Sequence, residues 1–301
     1  MLVCHLRAAR RKARTAAEQE LVGLLHGFEP MVEKGGPLSE QRGVFWVSVP
    51  ATKVLLAQSR LPHLGYCDAV DIVLSDEEAN AFPETTVIGP TRWRRQPYQL
   101  VRLYEEDPEA LRERAPDRRA FIFERADGEV REVLGYRGSN DPLTHRALPV
   151  VDARLLVNLV SASSPGVLLD PFAGGGGIVI EAVAAGWEVA SADIDPAVRH
   201  GLSAYGSMHV VADARELPVT DGSVAAVATE PPYDPSIGTL AADSLAEVAR
   251  VLRPEGRAAM LCAAWQADAV RKAAHAAGLV IDLDTPVNRK GVDVVVFAFR
   301  K

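Results

Sequence analysis

The chain of 301 residues is 48% hydrophobic and 24% charged, with a formal charge of −7, a profile that suits a globular protein long enough for two domains. Its longest apolar stretches are broken by Asp170, Glu181 or Asp193, which excludes reading them as membrane spans. The acidic balance excludes a uniformly basic nucleic-acid binder but not a locally basic one, since the first 150 residues hold 21 of the 33 Lys and Arg.

The opening MLVCHLRAARRKAR is basic but carries no apolar core followed by a small-residue cleavage site, so no secretory signal is expected there. Residues 15–27 predict a helix closed by Gly27. A strand over 43–49, a helix over 51–61 and a strand over 66–74 follow. This alternation suggests a small α+β domain of the ferredoxin-like kind. Arginines cluster at Arg7–Arg14, at Arg92, Arg94 and Arg95, and at Arg118 and Arg119, and are read either as solvated faces or as phosphate contacts. A helix is expected near 107–114, then a hairpin turning at Ala126–Gly128. The turn-rich GYRGSNDPLTHRALP separates the halves, giving expected domains of 1–140 and 141–301.

From Val151 the pattern becomes strict strand–helix alternation. Asp152 is read as the cap of the helix ARLLVNLVSA, and GVLLD (166–170) as a buried strand. A glycine-rich turn, a helix, and strands ending at SADID, Asp213 and Glu230 come next. SLAEVARVLRPEG predicts a helix stopped by Gly256, RAAMLCAAW a strand, 267–278 a helix and 292–300 a last strand. The fold class is therefore α/β, a Rossmann-like doubly wound sheet behind an N-terminal α+β domain. Cys4, Cys67 and Cys262 form no CxxC and are read as buried thiols in a reducing cytoplasm. The histidines show no metal-ligand spacing, so no metal is expected.

The chemistry concentrates at strand ends. In LLDPFAGGGGIVIEA (168–182) the glycines turn the chain and let backbone N–H groups approach a ligand. Asp170 before the turn would repel a dinucleotide pyrophosphate but attract an ammonium, which favours S-adenosylmethionine over a nicotinamide cofactor. Asp193 is placed to accept from a ribose diol, and Asp213 from an adenine amino group. ATEPPYD (228–234) supplies acceptors for an amine, through the Glu230 side chain and the Pro231 carbonyl, on a loop stiffened by Pro231 and Pro232. Tyr233 offers a flat face for a base taken out of its stack.

Together these residues resemble the amino-methyltransferases with a (Asp/Asn/Ser)-Pro-Pro-(Tyr/Phe) motif, and most closely the THUMP-type tRNA guanine-N2 methyltransferases. The similarity covers roughly 145–260, including HRALPVVDARLLVNL, ADID, ADARELP and PPY. It implies an S-adenosylmethionine-dependent transfer to an exocyclic amine, guanine N2 in tRNA. It assigns Asp170, Pro171, Phe172, Gly174, Gly176, Asp193, Asp213 and Ala214 to the cofactor. Glu230, Pro231, Pro232 and Tyr233 go to catalysis, with His145 or Arg146 at the entry. Position 230 holds Glu where that family usually has Asp, and the extra methylene moves the carboxylate by about 1.5 Å. The alternatives are a DNA adenine-N6 or cytosine-N4 methyltransferase and a non-catalytic module that binds S-adenosylmethionine.

Overall fold

The computed structural model of the chain describes residues 1–114, 120–124, 130–134, 148–162, 165–198, 202–203, 205–289 and 292–301. They fall into two compact units, Met1–Asp107 and Pro108–Lys301. The expected boundary at 140 lies well inside the second unit, because the helix α4 (Pro108–Arg114) belongs to that side. The Arg114 guanidinium donates to both carboxylate oxygens of Glu181, at 3.0 and 2.9 Å.

The first unit is a six-stranded sheet in which every neighbouring pair is antiparallel. Its strands are β1 (Leu2–Leu6), β2 (Met31–Glu33), β3 (Val44–Ser48), β4 (Cys67–Leu74), β5 (Val87–Trp93) and β6 (Gln96–Glu105). They are ordered β2-β3-β1-β4-β6-β5. β1 and β3 are joined through the helix α1 (Arg14–Leu24), yet they are direct antiparallel neighbours, unlike the two strands of a split βαβ unit. α1 ends three residues before Gly27, and a 3-10 turn at His26–Phe28 follows. The buried Glu20 on α1 accepts from the Gly65 and Tyr66 backbone N–H groups at 2.6 and 2.9 Å, which ties the helix to the approach of β4. The helix expected over 51–61 is the shorter α2 (Val54–Gln58), and the elements that escape the sequence reading are β1, hidden inside the basic opening segment, β2, the short helix α3 (Asp76–Ala79) and the β5–β6 hairpin.

The second unit carries a seven-stranded sheet. It contains β9 (Val167–Asp170), β10 (Glu188–Asp193), β11 (Met208–Val211), β12 (Val224–Thr229), β13 (Leu252–Ala263), β14 (Val280–Arg289) and β15 (Val292–Arg300). The order is β11-β10-β9-β12-β13-β15-β14, with the first five strands parallel and the last two antiparallel. All six residues of β12 are buried, as a central parallel strand demands. Order reverses direction between β9 and β10 on one side and β12 on the other, which opens a crevice at the strand C-termini. β7 (Ala120–Glu124) and β8 (Val130–Leu134) pair as the expected hairpin, whose turn lies outside the described residues. Among the described residues no helix is long and apolar enough to cross a membrane.

Three local expectations need correction. The helix α5 (Val150–Val160) starts two residues before Asp152, with Pro149 as its N-cap, so Asp152 is a fully buried side chain inside the first turn. The helix expected to stop at Gly256 ends at Val251, and the extended backbone of β13 already includes Arg253–Gly256. β14 was not foreseen: it mixes Asp282, Asp284, Pro286 and Asn288 with apolar residues, which an edge strand tolerates and a central one does not.

Candidate functional site

The strand β9 ends at Asp170, and the turn after it is fixed by backbone and carboxylate together. The Gly174 N–H donates to Asp193 Oδ2 at 2.8 Å, and the Asp195 N–H to Asp193 Oδ1 at 2.9 Å. Asp193, at the end of β10, therefore ties two loops while remaining on the wall of the crevice. Gly174 (φ 48) and Gly176 (φ 82) adopt the left-handed backbone that a β-carbon resists. The glycines differ in their reason for being glycine. Gly174 lines the crevice. At Gly177, the first residue of the helix α6 (Gly177–Ala184), a β-carbon would lie 2.6 Å from the Leu148 carbonyl oxygen. That position is about packing against the segment entering α5.

The crevice holds a cavity of about 660 Å³. Pro171, Phe172, Gly174, Asp193, Asp213 and Ala214 line it on one side, and Glu230, Pro231, Pro232 and Tyr233 on the other. Ten of the twelve sequence-predicted site residues thus meet at one place. Gly176 and Asp170 do not line it. Asp170 is 1% exposed and sits behind the wall, where its Oδ1 accepts from the Phe172 N–H at 3.1 Å and from Thr229 Oγ1 at 3.0 Å. Burial pushes its carboxyl up to about 7, against the pull of those two donors. His145 and Arg146, expected at the entry, lie outside the described residues.

Asp213 follows β11 by two residues and is held by Arg215, whose Nη2 donates to its Oδ2 at 2.6 Å and whose N–H donates to its Oδ1 at 2.9 Å. These hydrogen bonds set its pKa below the ordinary carboxylate value. Beside it the wall is apolar. Ile194 is 68% exposed although aliphatic, and it faces the cavity with Ala214 and Leu240.

The loop after β12 carries the densest polar network. Tyr233 donates its hydroxyl to Glu230 Oε1, and Arg289 Nη1 donates to the same oxygen. Arg289 Nε also stands 3.4 Å from Oδ2 of Asp152. Burial raises the pKa of Glu230, opposed by the Arg289 charge and by the Tyr233 hydroxyl. Burial and the Glu230 carboxylate likewise raise that of Tyr233. Arg289 has its pKa raised although burial opposes it, because it lies between the carboxylates of Glu230 and Asp152. Gln266 (3% exposed) donates Nε2 to the Pro232 carbonyl at 3.1 Å and accepts from the Ala263 N–H at 2.9 Å. The Pro231 carbonyl accepts no hydrogen bond from any described residue. Sequence reasoning missed Arg289, Asp152 in this role and Gln266. Their partners are distant in sequence: Arg289 lies 59 residues from Glu230, and Gln266 lies 34 residues from Pro232.

Several known proteins are similar to parts of this chain. A family profile described as "Methyltransferase domain" matches residues 169–260. The tRNA (guanine(10)-N2)-dimethyltransferase of Methanothermobacter thermautotrophicus is 43% identical over 94 residues, a match covering 29% of this chain and 28% of that relative. The match thus spans less than a third of the relative's length. Among solved structures, a putative RNA methyltransferase from Pyrococcus horikoshii is similar with a TM-score of 0.46 and 19% identity, over 56% of this chain and 92% of that one. A 16S rRNA N2 methyltransferase of T. thermophilus, in complex with AdoMet and guanosine, gives a TM-score of 0.40 and 20% identity, over 62% and 46%.

The residues present suit S-adenosylmethionine. A cavity of this size falls within the roughly 300–1,000 Å³ typical of small-ligand sites. Asp193 supplies carboxylate oxygens at its wall, the backbone at Gly174 permits close approach, and exposed Ile194 offers an apolar face beside Asp213. The sheet order and the matched segment make the second unit a methyltransferase domain of the class I, Rossmann-like fold, with S-adenosylmethionine as its cofactor.

Proposed function

We propose that the protein methylates the exocyclic amine of guanine, N2, in RNA, with tRNA as the substrate class. The observation that carries this reading is the Glu230 carboxylate, set in the cavity wall beside Tyr233 and paired with Arg289. When ionised, as its pairing with Arg289 favours, this carboxylate presents acceptors only. The edge of guanine around N2 offers two adjacent donors, N1–H and the N2 amine. Guanine N2 has the lone pair of N3 on its other side, but adenine N6 and cytosine N4 have a lone-pair ring nitrogen and no ring N–H beside the amine, so neither offers a carboxylate two adjacent donors. Glu230 therefore matches guanine better than either alternative base. The relative from M. thermautotrophicus, named for guanine N2 in tRNA, points the same way.

When bound, S-adenosylmethionine supplies an activated methyl group on a sulfonium sulfur. The chain's residues orient the acceptor. The Pro231 carbonyl, which accepts no hydrogen bond from any described residue, accepts from one amine hydrogen and Glu230 from the other, so the nitrogen lone pair turns out of conjugation towards the methyl carbon. The proton that the amine sheds on methylation would pass to the Glu230 carboxylate or to water. Tyr233, fixed by its hydroxyl on Glu230, keeps its ring beside the base, and Gln266 holds the loop through the Pro232 carbonyl.

The experiment is incubation of the purified chain with methyl-labelled S-adenosylmethionine and separate pools of unmodified tRNA, rRNA, DNA and protein. Label in the tRNA pool supports the reading. Label confined to DNA or protein, or S-adenosylmethionine binding without transfer to any pool, overturns it.

A further inference from the structure

We propose that the tip of the β5–β6 hairpin is a contact for an unpaired stretch of RNA, with the Arg94 and Arg95 guanidiniums meeting backbone phosphates. This inference rests on the RNA reading above and adds a place on the first unit where the strand is held.

Trp93 pairs with Gln96 across the hairpin, so Arg94 and Arg95 alone form a two-residue loop. Both have positive φ, 51 and 69. Such loops are ordinarily built from Asn-Gly, because side chains with a β-carbon are strained there. Two arginines in these positions are a costly way to make a turn, and retained strain of this kind marks a residue kept for something other than the fold.

Arg92, Arg94 and Arg95 are all exposed, and none has a carboxylate partner among the described residues. That sets them apart from Arg7, Arg14 and Arg102 of the same unit, each of which is paired with a carboxylate. The two tip guanidiniums carry uncompensated charge that matches a run of phosphates. The flanking residues select an unpaired strand. Opposed residues of an antiparallel pair share a face, so Trp93, Gln96 and Tyr98 lie together on one side of the hairpin. The Tyr98 hydroxyl donates to Gln96 Oε1 at 2.9 Å, and the Arg94 guanidinium lies 4.4 Å from the Trp93 ring centroid. Both rings are partly exposed. Arginines beside aromatic faces suit exposed bases and a flexible backbone, whereas a duplex hides its base faces in the stack.

The test uses the full chain, a fluorescein-labelled unpaired RNA oligonucleotide as probe, and a salt titration of binding. Arg94→Asn with Arg95→Gly installs the preferred turn. The double variant is expected to melt no lower than wild type, while the slope of log K against log salt falls by about 1.4 and affinity at 0.15 M salt drops roughly tenfold. Arg94→Lys with Arg95→Lys keeps the charges and should keep the slope. A double Asn-Gly variant with wild-type affinity and slope overturns the hairpin contact alone. A wild-type chain that binds S-adenosylmethionine but no RNA overturns both this contact and the RNA reading beneath it.

Discussion

Arg289 Nη1 lies 2.5 Å from Glu230 Oε1, so a residue at the end of an edge strand neutralises the carboxylate of the loop that follows the central one. The pair gives Glu230 a fixed direction and a charge that burial alone would discourage.

Replacing Arg289 with Met should therefore change the pH dependence of methyl transfer. Glu230 already has its pKa raised by burial, and Arg289 opposes that rise. Without the arginine the pKa climbs further, and the active carboxylate is lost as pH falls through that higher value. The acid limb of kcat/KM should move to higher pH, with activity near pH 9 less affected than activity near pH 6. Loss of these charge-assisted hydrogen bonds should also lower stability by about 1.5–3 kcal/mol. A pH profile with its acid limb unmoved would break the link between the two residues.

Asp170 makes a stability prediction with a definite sign. Its folded pKa, about 7, is above that of an unfolded aspartate because of burial. The folded state thus binds this proton more tightly, and the stability so gained is full in acid and lost as pH rises through 7. Asp170→Asn, neutral throughout, should leave stability near pH 4 almost unchanged. At pH 8 it should stabilise by at most about 4 kcal/mol, three pKa units of linkage. Denaturant melts of both proteins at the two pH values decide it, and an equal difference at both would show that Asp170 does not titrate in this way.

Gly177→Ala should damage the fold rather than the chemistry. Its new methyl group would lie 2.6 Å from the Leu148 carbonyl oxygen and 2.8 Å from the Leu148 nitrogen, backbone atoms that have little room to yield. A loss of about 1–3 kcal/mol is expected. Differential scanning calorimetry checks it, and a melting temperature equal to wild type would remove the packing reason for this glycine.

Tyr233 separates ring from hydroxyl. Tyr233→Ala removes the surface on which the base rests and should weaken substrate binding by about 1–3 kcal/mol, seen chiefly in KM. Tyr233→Phe keeps the ring, loses the hydrogen bond to Glu230, and should affect kcat more than KM. Steady-state kinetics of the two variants test the division, and wild-type transfer by a folded Tyr233→Ala protein would remove the stacking role.

Much of the second unit was legible because parallel strands buried on both faces write themselves as apolar runs ending in acids or glycines. Leu168–Asp170 and Val224–Thr229 are such runs, and the segments just after them supply part of the cavity wall. Position along the strand was less legible than its existence. Asp170 looked like a ligand because it ends β9, yet the turn folds back over it and buries it. Asp152 looked like a cap because it precedes an apolar helix, but that helix begins at Val150 with Pro149 as its N-cap. Arg289 carried no local signal at all. Its partners come from α5 and from the loop after β12, and only the closing of the sheet edge by β14 brings the three together.

The most direct measurement is mass spectrometry of nucleosides released from an unmodified tRNA transcript after incubation with the chain and S-adenosylmethionine, run beside Glu230→Gln. An acceptor-only carboxylate that reads the guanine edge should give N2-methylguanosine with the wild type and little or none with the glutamine variant. Methylated adenosine or cytidine in its place, or an undiminished yield from Glu230→Gln, would contradict the role assigned to Glu230.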